Sequence, residues 1–189
     1  MARLCRDVAL ERNGGSNMKM HYETYASPIG ELLLVASELG LREIRFEREN
    51  EAHQLDDNWI AGGSGTHEAI AQLESYFAGD LTKFDLLLDA QGTDFMKSVW
   101  IELCHIPFGE TISYGELAKR IGNPSASRAV GMANGRNPIP IVVPCHRVIG
   151  SNGRLTGFAG GLPLKERLLL HESKNQERQS TLFAAKNTS

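Results

Sequence analysis

Cysteine, histidine and arginine follow one another at residues 145–147, directly after an apolar run at 139–143 and Pro144. A cysteine at the end of a buried strand is either a small packed residue or a nucleophile at the edge of a site. A free thiol has a pKa of about 8.5, so a nucleophilic Cys145 needs a base, and His146 is the nearest candidate. Because neighbours in a strand point to opposite faces, this pair requires a turn after Pro144 or a bridging water.

A third group should orient the imidazole of such a histidine. The stretch LPLKERLLLHE predicts a helix with a leucine-rich buried face, and it carries two acids, Glu166 and Glu172. The spacing of the sequence does not choose between these two carboxylates.

A metal site is an alternative use of the same residues. Cys104 and His105, together with Cys145 and His146, offer four possible zinc ligands. Neighbouring residues rarely reach one ion together, and the chain has no Cys-x-x-Cys or His-x₃-His spacing. The sequence therefore predicts no metal site.

The residues before this cluster predict three helices. TDFMKSVWIELCHI places Phe95, Val99 and Leu103 on one buried stripe, with Cys104 as a small packed residue beside it. A second helix, capped by Ser113, is predicted over 114–121, and after a turn at 122–124 a third runs from about 125 to 134. Two short helices around such a turn are typical of a helix-turn-helix, which is a weak motif by itself.

The third of these helices consists mainly of small residues. A glycine in a helix interior costs about 1 kcal/mol relative to alanine, so two of them, Gly131 and Gly135, need a reason. One interpretation is close packing against another helix. The other is close approach of the helix backbone to DNA, with Arg128 as its long side chain, which suits a minor groove better than base reading in a major groove.

The charges are distributed unevenly along the chain. Residues 18–94 carry five basic and fifteen acidic side chains, whereas residues 111–160 carry six basic side chains and one acidic. A locally basic surface attracts a polyanion such as DNA, although a basic face without a partner is an equally good interpretation of charge alone.

The first half of the chain predicts a scaffold. It contains three short strands turned at 28–30 and 38–40, a polar loop at 48–65, a helix from an N-cap at Thr66 to a stop at Gly79, and a strand in KFDLLLD. The expected fold is therefore α/β of the α+β kind: a small N-terminal mixed sheet-plus-helix domain at 18–90 and a mostly helical C-terminal domain with a helix-turn-helix at 91–175. A disordered leader is expected at 1–17 and a flexible tail at 176–189.

The composition of the 189 residues is that of a globular protein, with 41% hydrophobic and 23% charged residues. There is no apolar run of the roughly 20 residues that a membrane span needs, and no secretory signal at the start. The three cysteines are odd in number and far apart, which predicts reduced thiols. The expected compartment is the cytoplasm, or the nucleus if the source is eukaryotic.

Several motifs occur together in one order. They are SYGELA at 113–118, RAVG at 128–131, NP at 137–138, PCHRV at 144–148, then GGL, Lys165 and LLLHE at 168–172. From about Met18 to Glu172 the chain closely resembles the O6-alkylguanine-DNA alkyltransferases, also called methylated-DNA–protein-cysteine methyltransferases. The resemblance implies a single-turnover S-methyltransferase that flips O6-methylguanine out of duplex DNA and moves the alkyl group irreversibly onto its own cysteine.

The resemblance also implies roles for individual residues. Cys145 matches the alkyl acceptor, His146 the base that acts through water, Glu172 the acid that orients this histidine, and Tyr114 the phenol that assists base rotation and protonates O6. Arg128 matches the arginine that fills the stack after the base leaves. The rest of the implied DNA-binding set is Ser127, Ala129, Gly131, Asn134 and Gly135.

The pocket residues implied by the family are Asn137, which holds the turn before the active-site strand, and Val148, Phe158, Ala159 and Lys165. Phe158 stands where many members have tyrosine, and Asn134 replaces a bulkier residue of some relatives. These departures leave the alkyl size and the use of O4-methylthymine open. The resemblance implies that no cofactor is needed. The expected partner is alkylated double-stranded DNA, which a monomer of the protein binds in the minor groove, and no association with a membrane is expected.

Two rival functions are less well supported by the residues. A lesion binder that does not transfer the alkyl group lacks the reactive cysteine, whereas this chain has Cys145. A cysteine hydrolase could use cysteine, histidine and glutamate, but it would not need a slim helix with a single arginine at its start.

Overall fold

The protein is described by a computed structural model. It describes residues 18–47 and 53–186, with side chains as far as residue 178, so the expected leader at 1–17 lies outside the described residues. The strands are β1 (His21–Ser27), β2 (Gly30–Ser37), β3 (Gly40–Phe46), β4 (Ile60–Ala61), β5 (Ile112–Ser113) and β6 (Val148–Ile149). The α-helices are α1 (Ser64–Ala78), α2 (Asp94–Leu103), α3 (Tyr114–Arg120), α4 (Ser127–Gly135) and α5 (Gly161–Lys186).

The N-terminal part is a four-stranded sheet, in the order β3-β2-β1-β4, with α1 packed against it. The strands β1, β2 and β3 form an antiparallel meander whose two turns lie where the sequence predicts them. The strand β4 pairs with β1 in parallel, and it lies inside the segment 48–65 that was expected to be entirely loop. The arrangement confirms the expected α+β class.

The segment KFDLLLD does not form the predicted strand. Its alternating pattern is real, since Leu86 and Leu88 are buried and Leu87 is exposed, but it pairs with β3 only around Leu41. The N–H of Leu41 donates to the carbonyl of Leu87, and the N–H of Asp89 donates back to Leu41, both at 2.8 Å. A side chain at Gly40 would collide with the carbonyl of Leu87, so this contact requires glycine.

The N-cap of helix α1 is Gly63, three residues before the predicted cap at Thr66. Thr66 is therefore not its N-cap, and its hydroxyl donates within the first turn to the carbonyl of Gly63 at 2.9 Å. The predicted stop at Gly79 is confirmed, because this residue has φ of +83° and its N–H caps the last turn. The helix buries Leu73 and Tyr76 against the rest of the core.

Helix α2 begins after Thr93, whose hydroxyl accepts the N–H of Met96. Its predicted stripe is only partly buried: Val99 and Leu103 are in the core, but Phe95 is 37% exposed at the first turn. Trp100, next to the predicted stripe, is buried instead. Its indole N–H donates to the carbonyl of Ala133 at 2.9 Å, which joins α2 to α4.

The helix-turn-helix is present in outline. Ser113 caps α3 by accepting the N–H of Glu116 at 3.1 Å, as predicted. The second helix of this motif was expected from about residue 125. It starts as a short 3₁₀ helix at Pro124–Ala126 and becomes the α-helix α4 at Ser127. The first bond of this turn joins the N–H of Ala126 to the carbonyl of Asn123, which is an i to i+3 bond.

One further expectation needs correction. Helix α5 continues to Lys186, so most of the segment expected to be a flexible tail from residue 176 is helical. Among the described residues, no helix combines the length and the apolar content that crossing a bilayer requires.

Candidate active site

Cys145 lies on a 3₁₀ turn, Cys145–Arg147, rather than at the end of a strand. The preceding segment 139–143 is buried as predicted, but it bends back on itself, with one bridge between Pro140 and Val143. Ile141 has φ of +76°, a left-handed conformation that costs a β-branched residue free energy and needs support from its surroundings. The turn supplies the break in the strand that a neighbouring cysteine and histidine require.

Asn137 supplies this support with both ends of its side chain. Its amide donates to the carbonyl of Val143 at 2.7 Å, and its carbonyl oxygen accepts the N–H of Ile139 at 3.0 Å. The N–H of Val143 also donates to the carbonyl of Ile139. Asn137 therefore ties both ends of the turn that follows α4 and precedes Cys145.

The thiol of Cys145 is buried, with 4% of the residue exposed. Burial raises the pKa of this thiol to about 11, although hydrogen bonding to Asn137 and the charge of Lys165 both favour the thiolate. The ammonium group of Lys165 is itself buried, where it donates to the carbonyls of Val148 at 2.6 Å and Thr156 at 2.8 Å. At neutral pH the thiol needs a base before it can react.

His146 is fully buried beside this thiol and pairs with Glu172 of α5. Its Nε2 lies 2.8 Å from Oε1 of Glu172, so Nε2 carries the proton of the neutral ring. Its Nδ1 is then the basic atom, and it is buried without a hydrogen-bond partner in the part of the chain that the structure describes. Glu166, the other acid that the sequence offered, is exposed to solvent.

The carboxylate of Glu172 accepts hydrogen bonds from four residues. Besides His146, these are Arg147, through Nε and Nη2 at 2.9 Å each, the N–H of Gly109 at 3.0 Å, and the hydroxyl of Tyr76 at 2.9 Å. Burial opposes ionisation of Glu172, but His146 and Arg147 outweigh it and hold the pKa of this carboxyl well below its usual range. The sequence analysis names Arg147 only as part of a motif and of a basic segment, and no pattern in the sequence indicates that Arg147 or Tyr76 would donate to Glu172.

Tyr114 is the first residue of α3, where it is half-buried and packs against the hydrophobic core. Its hydroxyl accepts a hydrogen bond from the hydroxyl of Thr156 at 3.1 Å. A Cβ at Gly131 of α4 would lie 3.7 Å from the tyrosine ring, which is an ordinary contact distance, so the ring leaves room for alanine at this position.

The other predicted pocket residues surround the same region. Val148 is buried and pairs through β6 with β5, while Ala159 is exposed on the loop before α5. Phe158 is half-buried, and its ring lies 5.4 Å from that of Phe46 on β3. The two parts of the chain therefore meet at this loop.

The structure divides the predicted DNA-binding residues into two groups. Arg128, Ala129 and Gly135 are exposed on α4, and Ser127 and Gly131 are half-buried. Asn134 is buried, and its amide lies 3.4 Å from the carbonyl of Cys145, so it faces the active site rather than solvent. The described residues contain no group of three or more potential metal ligands.

Comparison with known proteins agrees over most of the chain. The family model described as 6-O-methylguanine DNA methyltransferase, ribonuclease-like domain, matches residues 20–90. The model described as 6-O-methylguanine DNA methyltransferase, DNA binding domain, matches residues 94–174. Together the two models account for most of the 189 residues.

Individual relatives are similar over nearly their whole length. The methylated-DNA–protein-cysteine methyltransferase of Methanosarcina acetivorans is 55% identical over 150 residues, which are 79% of this chain and 96% of that protein. The protein of the same name from Mycobacterium tuberculosis is 48% identical over 164 residues, covering 87% of this chain and 99% of its own. The crystal structure of Mycobacterium tuberculosis OGT in complex with DNA has a TM-score of 0.74 and 48% identity, and the match covers 82% of this chain and 94% of that one. This chain therefore belongs to the 6-O-methylguanine DNA methyltransferase family.

Proposed function

We propose that the protein repairs O6-methylguanine in duplex DNA by moving the methyl group to its own Cys145. The observation that carries this proposal is the buried thiol next to a His146–Glu172 pair whose basic Nδ1 has no partner among the described residues. This is a nucleophile, a base and an orienting acid in one site.

The chemistry can be assigned atom by atom. The proton of the Cys145 thiol passes to Nδ1 of His146, directly or through one water, and Sγ attacks the methyl carbon in line with O6. The S–C bond forms as the C–O6 bond breaks, and the hydroxyl of Tyr114 donates a proton so that the product is neutral guanine. The phenolate then regains a proton from solvent as His146 releases the one it took from the thiol. The product thioether has no good leaving group, so each molecule reacts once.

Lys165 assists this step by its charge. Its ammonium group favours the thiolate of Cys145, and the same ammonium holds the carbonyls of Val148 and Thr156 in place. The hydroxyl of Thr156 in turn meets Tyr114, so the cation also supports the loop on which the proton donor rests. No cofactor takes part in the transfer.

The proposed partner is double-stranded DNA, bound along the exposed face of α4. The Mycobacterium tuberculosis relative has been solved in complex with DNA, and α4 of this chain presents exposed Arg128, Ala129 and Gly135. A slim helix fits the minor groove, where flipping out a damaged base costs a few kcal/mol. Arg128 at the start of the helix would fill the gap in the stack and offset part of this cost.

In this proposal, residues 18–90 form the scaffold domain and residues 91–175 form the domain that binds DNA and transfers the alkyl group. The protein acts as a monomer in the cytoplasm, as expected for a stoichiometric repair protein of bacterial type. Whether O4-methylthymine is also accepted depends on the pocket wall at Phe158, where a hydroxyl of many relatives is missing.

Intact and peptide mass spectrometry tests the reaction. The protein is mixed with duplex DNA carrying a single O6-methylguanine, and a Cys145→Ala variant is treated in parallel. The expected result is a gain of one methylene on the peptide that contains Cys145, and no gain in the variant. Tight binding without any gain would instead indicate a lesion-binding protein, and absence of both binding and gain would contradict the proposal entirely.

A further inference from the structure

Tyr76 is a buried residue of the N-terminal part that reaches the catalytic pair. It lies near the end of α1, it is fully buried, and its hydroxyl donates to Oε1 of Glu172 at 2.9 Å. The two residues are 96 positions apart in the sequence. The N-terminal part therefore contributes a hydrogen bond to the acid that orients His146.

The position of this tyrosine is fixed on several sides. Its ring packs against Phe84, with the centroids 5.4 Å apart, and edge-on against Phe108 at 5.9 Å. Its backbone carbonyl lies 2.8 Å from Nε2 of His171, one residue before Glu172 on α5. The hydroxyl is thus held in place by packing and cannot swing away from the carboxylate without opening the core.

The hydroxyl shares an oxygen with the catalytic histidine. Oε1 of Glu172 accepts from Tyr76, from Nε2 of His146 at 2.8 Å and from Nη2 of Arg147 at 2.9 Å. Every donor on this oxygen neutralises part of its negative charge. A carboxylate oxygen with an additional donor attracts the imidazolium form of its histidine partner less strongly.

We infer that Tyr76 is a positioning residue for methyl transfer, which acts through Glu172 to fix the carboxylate and to moderate its pull on the proton of His146. This role rests on the proposed function, in which neutral His146 accepts the thiol proton. By weakening the stabilisation of the imidazolium, the tyrosine keeps the histidine in its basic form at neutral pH.

The other groups around the histidine act in the same or the opposite direction. Burial lowers the pKa of His146, Glu172 opposes this shift, and the positive charges of Arg147 and Lys165 add to it. Cys145, the preceding residue, is neutral below its raised pKa. The tyrosine is therefore one of several groups that set the protonation of the base, and its removal should shift this balance without abolishing it.

The phenol remains a donor over the working range of pH. Burial, then the charge of Glu172 and the hydrogen bond to it, raise the pKa of Tyr76 well above its usual value. It does not titrate together with His146, so a change in the acid limb of the pH–rate profile reports on the histidine.

A Tyr76→Phe variant tests the inference, because it removes the hydroxyl and keeps the ring. Single-turnover rates of methyl transfer from O6-methylguanine duplex are measured from pH 5.5 to 9, with Tyr25→Phe as the matched control. Tyr25 is a half-buried tyrosine of β1 that packs on Phe77 of α1, the helix that carries Tyr76, and it lies near Glu74. The control should leave the profile unchanged.

The expected result follows from the sign of the interaction. Without the hydroxyl, Glu172 holds the imidazolium more strongly, so the pKa of His146 rises and the acid limb moves up by about half a pH unit. The rate then falls by up to about threefold at pH values below the pKa of His146 and changes little at pH 8. A rate lowered by the same factor at every pH would show a merely structural role and overturn the inference, as would an unchanged profile.

A second measurement does not depend on the reaction. The ring nitrogens of His146 are titrated by NMR in a Cys145→Ala background, with and without Tyr76→Phe. The pKa of the histidine should be higher in the double variant, and an equal pKa in both proteins would refute the inference. If the unmodified protein transfers no methyl group at all, the proposed function fails, but this titration still decides whether the tyrosine tunes the histidine.

Discussion

Replacing Glu172 by glutamine removes one charge from the centre of the active site and keeps the shape of the side chain. The carboxylate accepts five hydrogen bonds, two of them from Arg147, whose side chain is 7% exposed. Glutamine offers one acceptor oxygen and an amide that itself donates. If the oxygen remains opposite His146, the amide meets Nε of Arg147 and the N–H of Gly109, which are both donors.

The magnitude follows from the burial of the partners. Arg147 would keep its bonds from Nη2 to the remaining oxygen and from Nη1 to the carbonyl of Ile106, but it would lose the bond from Nε and its counter-ion. Removing one partner of a buried ion pair costs about 3–5 kcal/mol. The free energy of unfolding at pH 7.5 should therefore fall by that amount, and the rate of methyl transfer by about 10²- to 10⁴-fold, since the base loses the acid that holds its tautomer.

Urea denaturation followed by fluorescence and circular dichroism measures the first effect, and single-turnover methyl transfer at 15 °C measures the second. Glu166→Gln is the control, because this residue is exposed on the same helix six positions earlier, and it should stay within about 0.5 kcal/mol of the unmodified protein. A Glu172→Gln protein that unfolds within about 1 kcal/mol of the unmodified protein would refute the reasoning from buried charge.

Three other outcomes are expected. The pKa of Glu172 is lower in the folded state than in the unfolded state, so its contribution to stability is complete above the usual glutamate pKa of about 4.3 and is lost as the pH falls toward the folded-state value. The difference in urea midpoint between the unmodified protein and Glu172→Gln should therefore shrink from pH 6 to pH 3. Asn137→Ala leaves the N–H of Ile139 unsatisfied and removes one of the two donors to the carbonyl of Val143, which keeps the N–H of Cys145, so it should lower the free energy of unfolding by about 1–3 kcal/mol in the same denaturation assay. Arg128→Ala removes an exposed side chain, so it should leave stability within about 0.5 kcal/mol while weakening binding to lesion-containing duplex in a fluorescence anisotropy titration. Equal affinity would contradict the role in the base stack that is proposed for Arg128.

The sequence predicts those parts of the fold that local rules decide. The two hairpin turns, the glycine stop of α1 and the serine cap of α3 all depend on residues within four positions of one another. The segment KFDLLLD shows the limit of such rules. Its alternation is that of a strand, but only Leu88 finds a partner in β3, and pairing is decided by residues distant in the sequence.

The candidate site divides in the same way. The sequence shows that Cys145 and His146 are neighbours, but the two side chains can act together only if the chain turns between them. The left-handed conformation of Ile141 in the preceding segment is supported by hydrogen bonds to Asn137, which the spacing of the sequence does not reveal. The choice of Glu172 over Glu166 came from the resemblance to a family. The structure gives it a physical reason, since one carboxylate is buried on the histidine and the other faces solvent.

Arg147 shows how a charge can be misjudged from composition. The sequence counts it with the basic segment 111–160, as though it faced a polyanion. In the structure it is buried, it holds both oxygens of Glu172, and its guanidinium lies 5.8 Å from the ring of Phe108. The basic surface offered to DNA is therefore smaller by one charge than the sequence suggests, and the salt dependence of binding should reflect the exposed cations alone.

The high pKa of the nucleophile is consistent with a protein that reacts once. Burial raises the pKa of the Cys145 thiol to about 11, so the protonated form predominates at pH 7. The groups that favour the thiolate, Lys165 and the amide of Asn137, are already in place, and Nδ1 of the adjacent histidine is ready to take the proton. Burial thus keeps the Cys145 thiol protonated and the neighbouring His146 neutral, which are the two forms from which the proposed proton transfer starts. The same desolvation that suppresses the free thiolate thus preserves the single equivalent of nucleophile that the reaction consumes.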